Sequence, residues 1–136
     1  MKYDISFDKL IEYDVGKSGI SLNVELRLGD LAITIESKLD TGSSNCIFER
    51  RYGEELGFDI EEGDLRFFGT SVGSFPAFGH SVTIITADFS FDSMVFFAKD
   101  EFISRNVLGR HGFLDRLIIG INDYDGKLYL SRYESE

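Results

Sequence analysis

In this 136-residue chain, the triplet Asp40-Thr41-Gly42 is the strongest candidate for a catalytic motif. The apolar-alternating run Leu31–Leu39 precedes it, and Ser43-Ser44 follows it. A carboxylate held at the end of a strand can take a proton from a bound water molecule and so act as a general base. The same residue types also favour ordinary turns, and chance alone would place this triplet in about a few per cent of chains of this length. The surrounding sequence therefore decides whether the triplet is a site.

Two alternating runs predict the element that positions Asp40. Leu22, Val24 and Leu26 alternate with polar residues before Gly29-Asp30, and the run Leu31–Leu39 alternates after it. Alternation with a period of two predicts strands with one dry and one wet face, and Gly-Asp offers a tight turn. The pattern predicts a hairpin whose second strand ends at Asp40.

The rest of the chain predicts a mainly β protein, with one proline and 14 glycines between short apolar runs. Phe48, Tyr52 and Leu56 have helical spacing, and Gly57 supplies a helix stop. Gly112–Leu117 predicts one or two further helical turns. Leu65–Thr70 and Val82–Ile85 are predicted to form a long hairpin with a mobile tip that contains Gly73 to Gly79. The other predicted strands are Phe89–Phe91, Met94–Phe97, Arg105–Leu108, Leu117–Ile121 and Leu128–Ser131.

This order of elements resembles that of the retropepsin-like aspartic proteases, the single-domain homodimeric relatives of pepsin. Two segments carry the resemblance, Lys38–Ser44 with its Asp-Thr-Gly and Asn106–Leu114 with its apolar-apolar-Gly-Arg. The resemblance implies a closed β-barrel of the retropepsin (acid protease) type with one or two short helices. It also implies one domain over 1–136, with residues 1–19 as an N-terminal extension or strand and 20–131 as the core.

The resemblance further implies an aspartic endopeptidase, a hydrolase that uses no metal or cofactor and acts on peptide or protein substrates. Such hydrolysis needs two facing carboxylates, one ionised and one protonated. The chain has one Asp-Thr-Gly, so the second carboxylate would be Asp40 of a second copy, in a homodimer with the site on its two-fold axis. Thr41 would hydrogen-bond the partner loop, and Gly42 would leave room beside the carboxylates.

The other implied site residues would bind substrate or support the loop. Ser43 and Ser44 would line the cleft, and the hairpin around Gly73 would be a flap that closes over an extended peptide. Phe75 and Phe78 would be walls for substrate side chains. The segment that would pack beneath the loop is Val107, Leu108, Gly109 and Arg110, and Leu128–Arg132 would supply strands to a dimer sheet.

Three positions depart from the viral pattern. The fourth residue after the catalytic Asp is acidic in the viral enzymes and pairs with the Arg of Gly-Arg, whereas here it is Ser44. Arg110 must therefore find another partner or face solvent. His111 stands where Asp or Asn is usual, and Phe75–Phe78 predicts a bulkier flap tip. These departures keep open a non-proteolytic dimerisation or peptide-binding module on the same fold, and an unrelated β-barrel binding protein in which the triplet is accidental.

Other reactive residues fit structural roles better. The spacing of Cys46 from His80 and His111 does not indicate a catalytic pair of nucleophile and base. Cys46 stands beside apolar residues, where a buried thiol is the commoner role. Asp123 and Asp125 fall in a turn without further ligands, so no metal site is predicted.

Composition and charge exclude several partner classes. A net charge of −10 disfavours nucleic acid and anionic lipid, and it weakly favours basic substrates or a mildly acidic working pH. A single cysteine suggests a reducing compartment. Met1–Val15 lacks the apolar core of a signal peptide, and no run reaches the length of a membrane span. The sequence predicts a cytoplasmic protein.

Overall fold

Ten strands and three short helical segments form residues 1–133, the part of the chain that the structure, a computed structural model, describes. The strands are β1 Lys9–Glu12, β2 Ser21–Leu28, β3 Leu31–Leu39, β4 Ile47–Phe48, β5 Asp64–Thr70, β6 Gly73–Thr86, β7 Phe89–Ala98, β8 Val107–Leu108, β9 Leu117–Asn122 and β10 Lys127–Arg132. The helical segments are α1 Arg50–Glu55 and two 3₁₀ turns, Ile60–Glu62 and Leu114–Arg116. None of these helices is long and apolar enough to cross a membrane.

Six strands close into a ring in the order β2-β3-β8-β4-β7-β6, because β6 pairs back onto β2. This ring is the closed arrangement that the family resemblance implies, and the mainly β fold class is confirmed. β5 lies outside the ring and pairs with the first half of β6.

The β2–β3 hairpin forms as predicted and ends at Asp40. Gly29 adopts a φ of +59° in its turn, a conformation that glycine takes without strain. Val24 and Leu26 on β2 and Ile35 on β3 are each at most 1% exposed, whereas their polar neighbours face solvent. Burying each such side chain stabilises the fold by about 1.5–3 kcal/mol, so the register that directs β3 towards the site is strongly specified.

Phenylalanines fill much of the interior. Phe48, Phe97 and Phe113 belong to the main core and are fully buried. A smaller cluster, here called the hairpin cluster, lies under β5 and β6 and comprises Ile47, Phe68, Phe75, Ala77, Phe96, Ala98 and Val107.

The structure corrects the predicted tip of the second hairpin. Residues 74–78, expected in the tip, belong to β6 and pair with β5, and the turn consists of Ser71 and Val72. Pro76 lies where the ladder between β6 and β7 ends, at Ala77, so its missing N–H breaks few pairings.

The predicted helices are shorter in the structure. α1 ends beside Gly57, whose φ of +91° makes it the helix stop that the sequence predicts. Phe48 lies in β4 rather than in the helix, and Gly112–Leu117 contains a single 3₁₀ turn.

β10 is the central strand of a separate three-stranded sheet, in the order β1-β10-β9. β1 pairs along Lys127–Leu130 and β9 along Lys127–Arg132, so both edges of β10 are occupied within one chain as far as Leu130. Along Leu128–Leu130 both edges of β10 are already paired, so a second chain could extend this sheet along the outer edges of β1 or β9, or beside Ser131 and Arg132.

Candidate active site

The Asp40 loop, residues 40–45, begins directly after β3 ends at Leu39. The Asp40 amide donates to the carbonyl of Leu108 at 3.0 Å, and the Ser43 amide donates to the Asp40 carbonyl at 3.2 Å. The Gly42 amide donates to the Asp40 carboxylate Oδ1 at 2.9 Å. The Asp40 side chain is otherwise exposed. One carboxylate oxygen is thus held by the loop, and the other is left open to solvent.

β8 and the residues after it hold this loop from below. β8 pairs in parallel with the end of β3, Lys38 opposite Val107 and Leu39 opposite Leu108. The Arg110 amide donates to the Ser43 carbonyl, and the His111 amide donates to the Ser44 carbonyl, both at 2.9 Å. The predicted support segment Val107–Arg110 therefore lies directly against the Asp40 loop.

Gly109 allows the closest of these contacts. A Cβ at this position would lie 2.3 Å from the Asn45 carbonyl oxygen and 2.7 Å from the Ser43 carbonyl oxygen. Backbone atoms cannot move aside as a flexible side chain can, so no other residue fits here without displacing the loop.

The serine hydroxyls of the loop are used within it. Ser43 Oγ donates to the Asn45 carbonyl at 2.8 Å, and Ser44 Oγ donates to Asn45 Oδ1 at 3.0 Å. Arg66 from β5 also donates to Asn45 Oδ1, at 3.3 Å. Asn45 is 6% exposed and collects these bonds, a role that no spacing in the sequence indicated. Thr41 is exposed, and its hydroxyl has no partner within residues 1–133.

An open cleft of about 520 Å³ separates the Asp40 loop from the β5–β6 hairpin. The loop contributes Asp40, Gly42, Ser43 and Ser44, and Ile47 lies beside them. The opposite wall comes from the end of β5 and the turn, Phe68 to Ser71, and Arg105 completes the lining. The structure thus brings four of the predicted loop residues to one surface under a hairpin, whereas Thr41 does not line the cleft.

Gly73, Phe75 and Phe78 do not line this cleft. Gly73 follows the turn, and a Cβ built there would meet no atom within 4 Å. Phe75 is 4% exposed in the hairpin cluster, and Phe78 is 9% exposed in the main core. The predicted side-chain walls at Phe75 and Phe78 are therefore packing residues in the single chain. Phe68, the cross-strand partner of Phe75, lines the cleft instead, although it is itself 7% exposed.

Arg110 faces solvent, one of the two outcomes that its lack of an acidic partner at Ser44 left open. Its backbone supports the loop, but its guanidinium has no hydrogen bond or ion pair with any residue in the described range. His111 is also exposed, and its Nδ1 lies 3.5 Å from Asp115 Oδ2.

The segment that enters β8 was missed as part of the site. Arg105 is half-buried, and its guanidinium lies 5.4 Å from the centre of the Phe75 ring. The Glu49 amide donates to Asn106 Oδ1 at 3.1 Å, while Asn106 Nδ2 donates to the Glu49 carboxylate. The only signal in the sequence was the position of these residues just before the apolar-apolar-Gly-Arg segment.

The other reactive residues have structural surroundings. Cys46 is fully buried, and burial raises the pKa of its thiol to about 12, so it is the buried thiol that the sequence predicts. His80 Nε2 lies 2.9 Å from the Ile60 carbonyl, and its ring packs on Phe58. Residues 1–133 contain no cluster of three or more His, Cys, Asp or Glu side chains that could hold a metal ion.

A second cleft, of about 470 Å³, lies between β1 and the β2–β3 hairpin. Its lysines are engaged in ion pairs, Lys9 with Asp88 and Lys17 with Glu36. Asp14 also lines this space, and its Oδ1 accepts from the Gly16 amide at 2.8 Å. The Asp40 cleft is the better candidate because its loop is held by β8 and faces the β5–β6 hairpin.

No protein-family model and no curated protein matches this chain. Two solved structures are similar to it. A retropepsin-like aspartic protease from Rickettsia conorii has a TM-score of 0.64 and 18% identity over 95% of this chain and 96% of that one. EIAV protease in complex with the inhibitor HBY-793 has a TM-score of 0.55 and 20% identity over 74% of this chain and 88% of that one. This chain therefore has the retropepsin-like fold.

Proposed function

We propose that this chain, with its retropepsin-like fold, is an aspartic endopeptidase that hydrolyses peptide bonds as a homodimer. The observation that carries the proposal is the Asp40 carboxylate, exposed in an open cleft on a loop whose backbone is held by β8. Asp40 is also the one acidic residue among the described residues that line the cleft. A dyad would therefore need Asp40 of a second chain.

The chemistry follows from two carboxylates that share one proton. Like charges this close cannot both ionise, so the pair titrates as a unit. The ionised Asp40 takes a proton from water, whose oxygen attacks the peptide carbonyl carbon, while the protonated Asp40 donates to the carbonyl oxygen. The tetrahedral intermediate then collapses as the Asp40 that took the water proton gives it to the leaving nitrogen, the other Asp40 takes a proton back from a hydroxyl of the intermediate, and the C–N bond breaks.

Neighbouring residues would support this step. Gly42 holds one Asp40 oxygen with its amide, and a Cβ there would lie 3.3 Å from that oxygen, so glycine keeps space free for substrate. The exposed Thr41 hydroxyl would donate to the partner loop and join the two loops. Ser43 and Ser44 would border the substrate, and the turn at Ser71-Val72 would close over an extended peptide and exclude water.

The first prediction concerns Asp40→Asn. Asparagine keeps the size of the side chain but cannot act as the base, so we expect cleavage to fall by at least about 10³-fold. The dimer should persist, and it should dissociate less readily because repulsion between two carboxylates is removed. Cleavage of a peptide library by mass spectrometry, from pH 4 to 7.5 and with pepstatin as inhibitor, measures the first effect, and sedimentation equilibrium measures the second.

Asp30→Asn is the matched control, since Asp30 lies in the exposed β2–β3 turn away from the cleft. It should cleave like the wild type. Cleavage that survives in Asp40→Asn would disprove the catalytic role. A wild-type protein that is a stable monomer at micromolar concentration would exclude the dyad.

One observation favours a second candidate, a dimerisation or peptide-binding module that does not cleave. Ser44 provides no carboxylate for Arg110, so the Asp40 loop lacks the ion pair expected in the viral enzymes. The signature of this candidate is a dimer that binds peptides and leaves them intact at every pH tested.

A further inference from the structure

We propose that Arg105 makes the Asp40 cleft selective for peptides with an acidic side chain beside the scissile bond. This inference rests on the proposed function, because it names the substrate class of the same cleft. It starts from a side chain that the sequence did not single out as functional.

Arg105 is the one cationic residue among the described residues that line the cleft, and Asp40 is the one anionic residue. The guanidinium of Arg105 has no hydrogen bond or ion pair with any part of residues 1–133. A half-buried cation without an anion has lost part of its hydration and gained no charge partner in return. An incoming carboxylate would supply that partner.

The packing of Arg105 leaves its donors available. Its contact with Phe75 is a cation–π contact, with 5.4 Å between the guanidinium carbon and the ring centre. The five N–H donors along the edge of the planar guanidinium have no hydrogen-bond partner within residues 1–133. That edge fits the two oxygens of a carboxylate with paired hydrogen bonds.

The backbone that carries Arg105 is held in place. Asn106 exchanges two hydrogen bonds with Glu49, and its carbonyl accepts from the Lys38 amide at 2.9 Å. Val107, the next residue, lies in β8 opposite Lys38. Because the side chain starts from a fixed backbone and is braced by Phe75, less conformational entropy is lost when it binds a ligand.

The charges around Arg105 do not cancel it. A neighbouring cleft of about 410 Å³ shares Arg105 and contains Lys38 and Glu36. Glu36 is already paired with Lys17. Among the described residues that line the two clefts, Asp40 is the carboxylate without a cationic partner, and no ion pair joins it to Arg105.

The net charge of −10 opposes acidic substrates at long range. Because salt screens this repulsion over about 8 Å under physiological conditions, it lowers the rate of association more than it weakens a contact in the bound complex. A direct ion pair in a partly desolvated cleft acts at a few ångströms, where screening is weak. The local contact should therefore decide which bound peptides are preferred.

In the proposed homodimer the two-fold axis would pass between the Asp40 carboxylates. The combined cleft would then contain two Arg105 side chains, one on each side of the scissile bond. The favoured substrates are peptides with Glu or Asp within the few residues that flank that bond, on either side.

The test uses synthetic peptides that carry Glu, Gln, Lys or Leu at each position around a central bond. Affinities are measured by fluorescence anisotropy with Asp40→Asn protein, which should bind peptides without cleaving them, and cleavage is measured with wild-type protein. Arg105→Gln removes the charge, Arg105→Lys keeps it without the planar donors, and Arg27→Gln removes an exposed arginine that pairs with Glu25 outside the cleft.

At pH 7 we expect Glu peptides to bind about tenfold more tightly than their Gln counterparts, the effect of one good charge-assisted pair. The preference should disappear with Arg105→Gln, persist in part with Arg105→Lys and be unchanged with Arg27→Gln. It should also fade below about pH 4, because the peptide glutamate becomes protonated. A purely structural arginine would not produce this pH dependence.

The two proposals fail in different ways. Equal binding of Glu and Gln peptides, a preference that survives Arg105→Gln, or no binding at all would overturn the role of Arg105. If the binding preference holds but wild-type protein cleaves nothing, the endopeptidase fails and acidic-peptide recognition stands. If wild-type protein cleaves with no acidic preference, the endopeptidase stands and this inference fails.

Discussion

The Gly42 amide and the Asp40 carboxylate form the smallest functional unit of the molecule. The hydrogen bond between them, 2.9 Å long, fixes one carboxylate oxygen and leaves the other free for water. A hydrogen bond to an ionised carboxylate is stronger than one between neutral groups, so the carboxylate is oriented before substrate arrives. At this scale the site depends on backbone donors rather than on other side chains.

Gly109 provides the residue-scale test of the support under the loop. Gly109→Ala would place a methyl group 2.3 Å from the Asn45 carbonyl oxygen, so either the loop or β8 must move. We expect the free energy of unfolding to fall by about 1–3 kcal/mol and peptide cleavage to fall with it. Urea denaturation followed by circular dichroism measures the stability.

Gly69→Ala is the matched control for stability, because no atom lies within 4 Å of a Cβ built at Gly69. It should leave the denaturation midpoint nearly unchanged. Equal stability of the Gly109→Ala and wild-type proteins would show that the contact between β8 and the loop is not restrictive.

The β5–β6 hairpin is the element that decides the shape of the cleft. Its lower part is anchored by the hairpin cluster, where Phe68 packs against Phe75 and Phe96 at ring-centre distances of 6.1 Å and 5.1 Å. Its tip has little packing, since Val72 is 95% exposed. A packed base and a solvated tip allow the turn to move while the strands stay in place.

Thr70 holds the turn of this hairpin. Its hydroxyl donates to the Gly73 carbonyl at 3.2 Å and accepts from the Val72 amide at 3.3 Å. Thr70→Val removes both hydrogen bonds while keeping the shape of the side chain. We therefore expect faster hydrogen exchange at the Val72 amide and a several-fold lower kcat/KM. The free energy of unfolding should fall by less than about 1 kcal/mol. NMR hydrogen exchange and steady-state cleavage test this.

Thr34→Val on β3 serves as the control, because Thr34 is an exposed strand threonine away from the cleft. Its exchange and cleavage should match the wild type. If Thr70→Val changed neither quantity, the hydroxyl would have no part in ordering the tip.

At the scale of the whole molecule, Cys46 reports on the integrity of the barrel. The thiol is fully buried, and its pKa is raised to about 12 because burial disfavours the thiolate. The folded protein therefore holds this proton more tightly than the unfolded chain. The resulting stability is fully present below the ordinary thiol pKa of about 8.5 and is lost as the pH rises towards 12.

We expect Cys46 to resist alkylation by iodoacetamide at pH 8 in the native protein and to react rapidly in 6 M guanidinium chloride. The reason is that the thiolate is the nucleophile and forms only after the core opens. Mass spectrometry over a time course measures the rate. Rapid native alkylation would contradict a closed core, and glutathione under denaturing conditions provides the control for reagent quality.

Much of the fold could be predicted because its signals are local. The alternation around Gly29, the helix stop at Gly57 and the Asp-Thr-Gly triplet depend on the backbone and polarity preferences of adjacent residues. These preferences operate before any long-range contact forms. They suffice for the mainly β class, the β2–β3 hairpin and the position of Asp40 at a strand end.

Other features depended on pairings between distant segments. Phe75 and Phe78 could not be assigned to the core until the register of β6 with β5 and β7 was known, because a shift of one residue exchanges the two faces of a strand. Asn45 likewise collects bonds from Ser44 and from Arg66 on β5, 21 residues away.

The sequence by itself therefore determined the class of fold, the strand that ends at Asp40 and the loop that could bear a catalytic carboxylate. The tertiary structure alone decided that Gly109 contacts Asn45, that β10 is a central strand and that Arg105 faces the same cleft as Asp40. The physical reason is distance along the chain. Local preferences act between near neighbours, whereas a cleft is formed by the packing of strands that are far apart in the sequence.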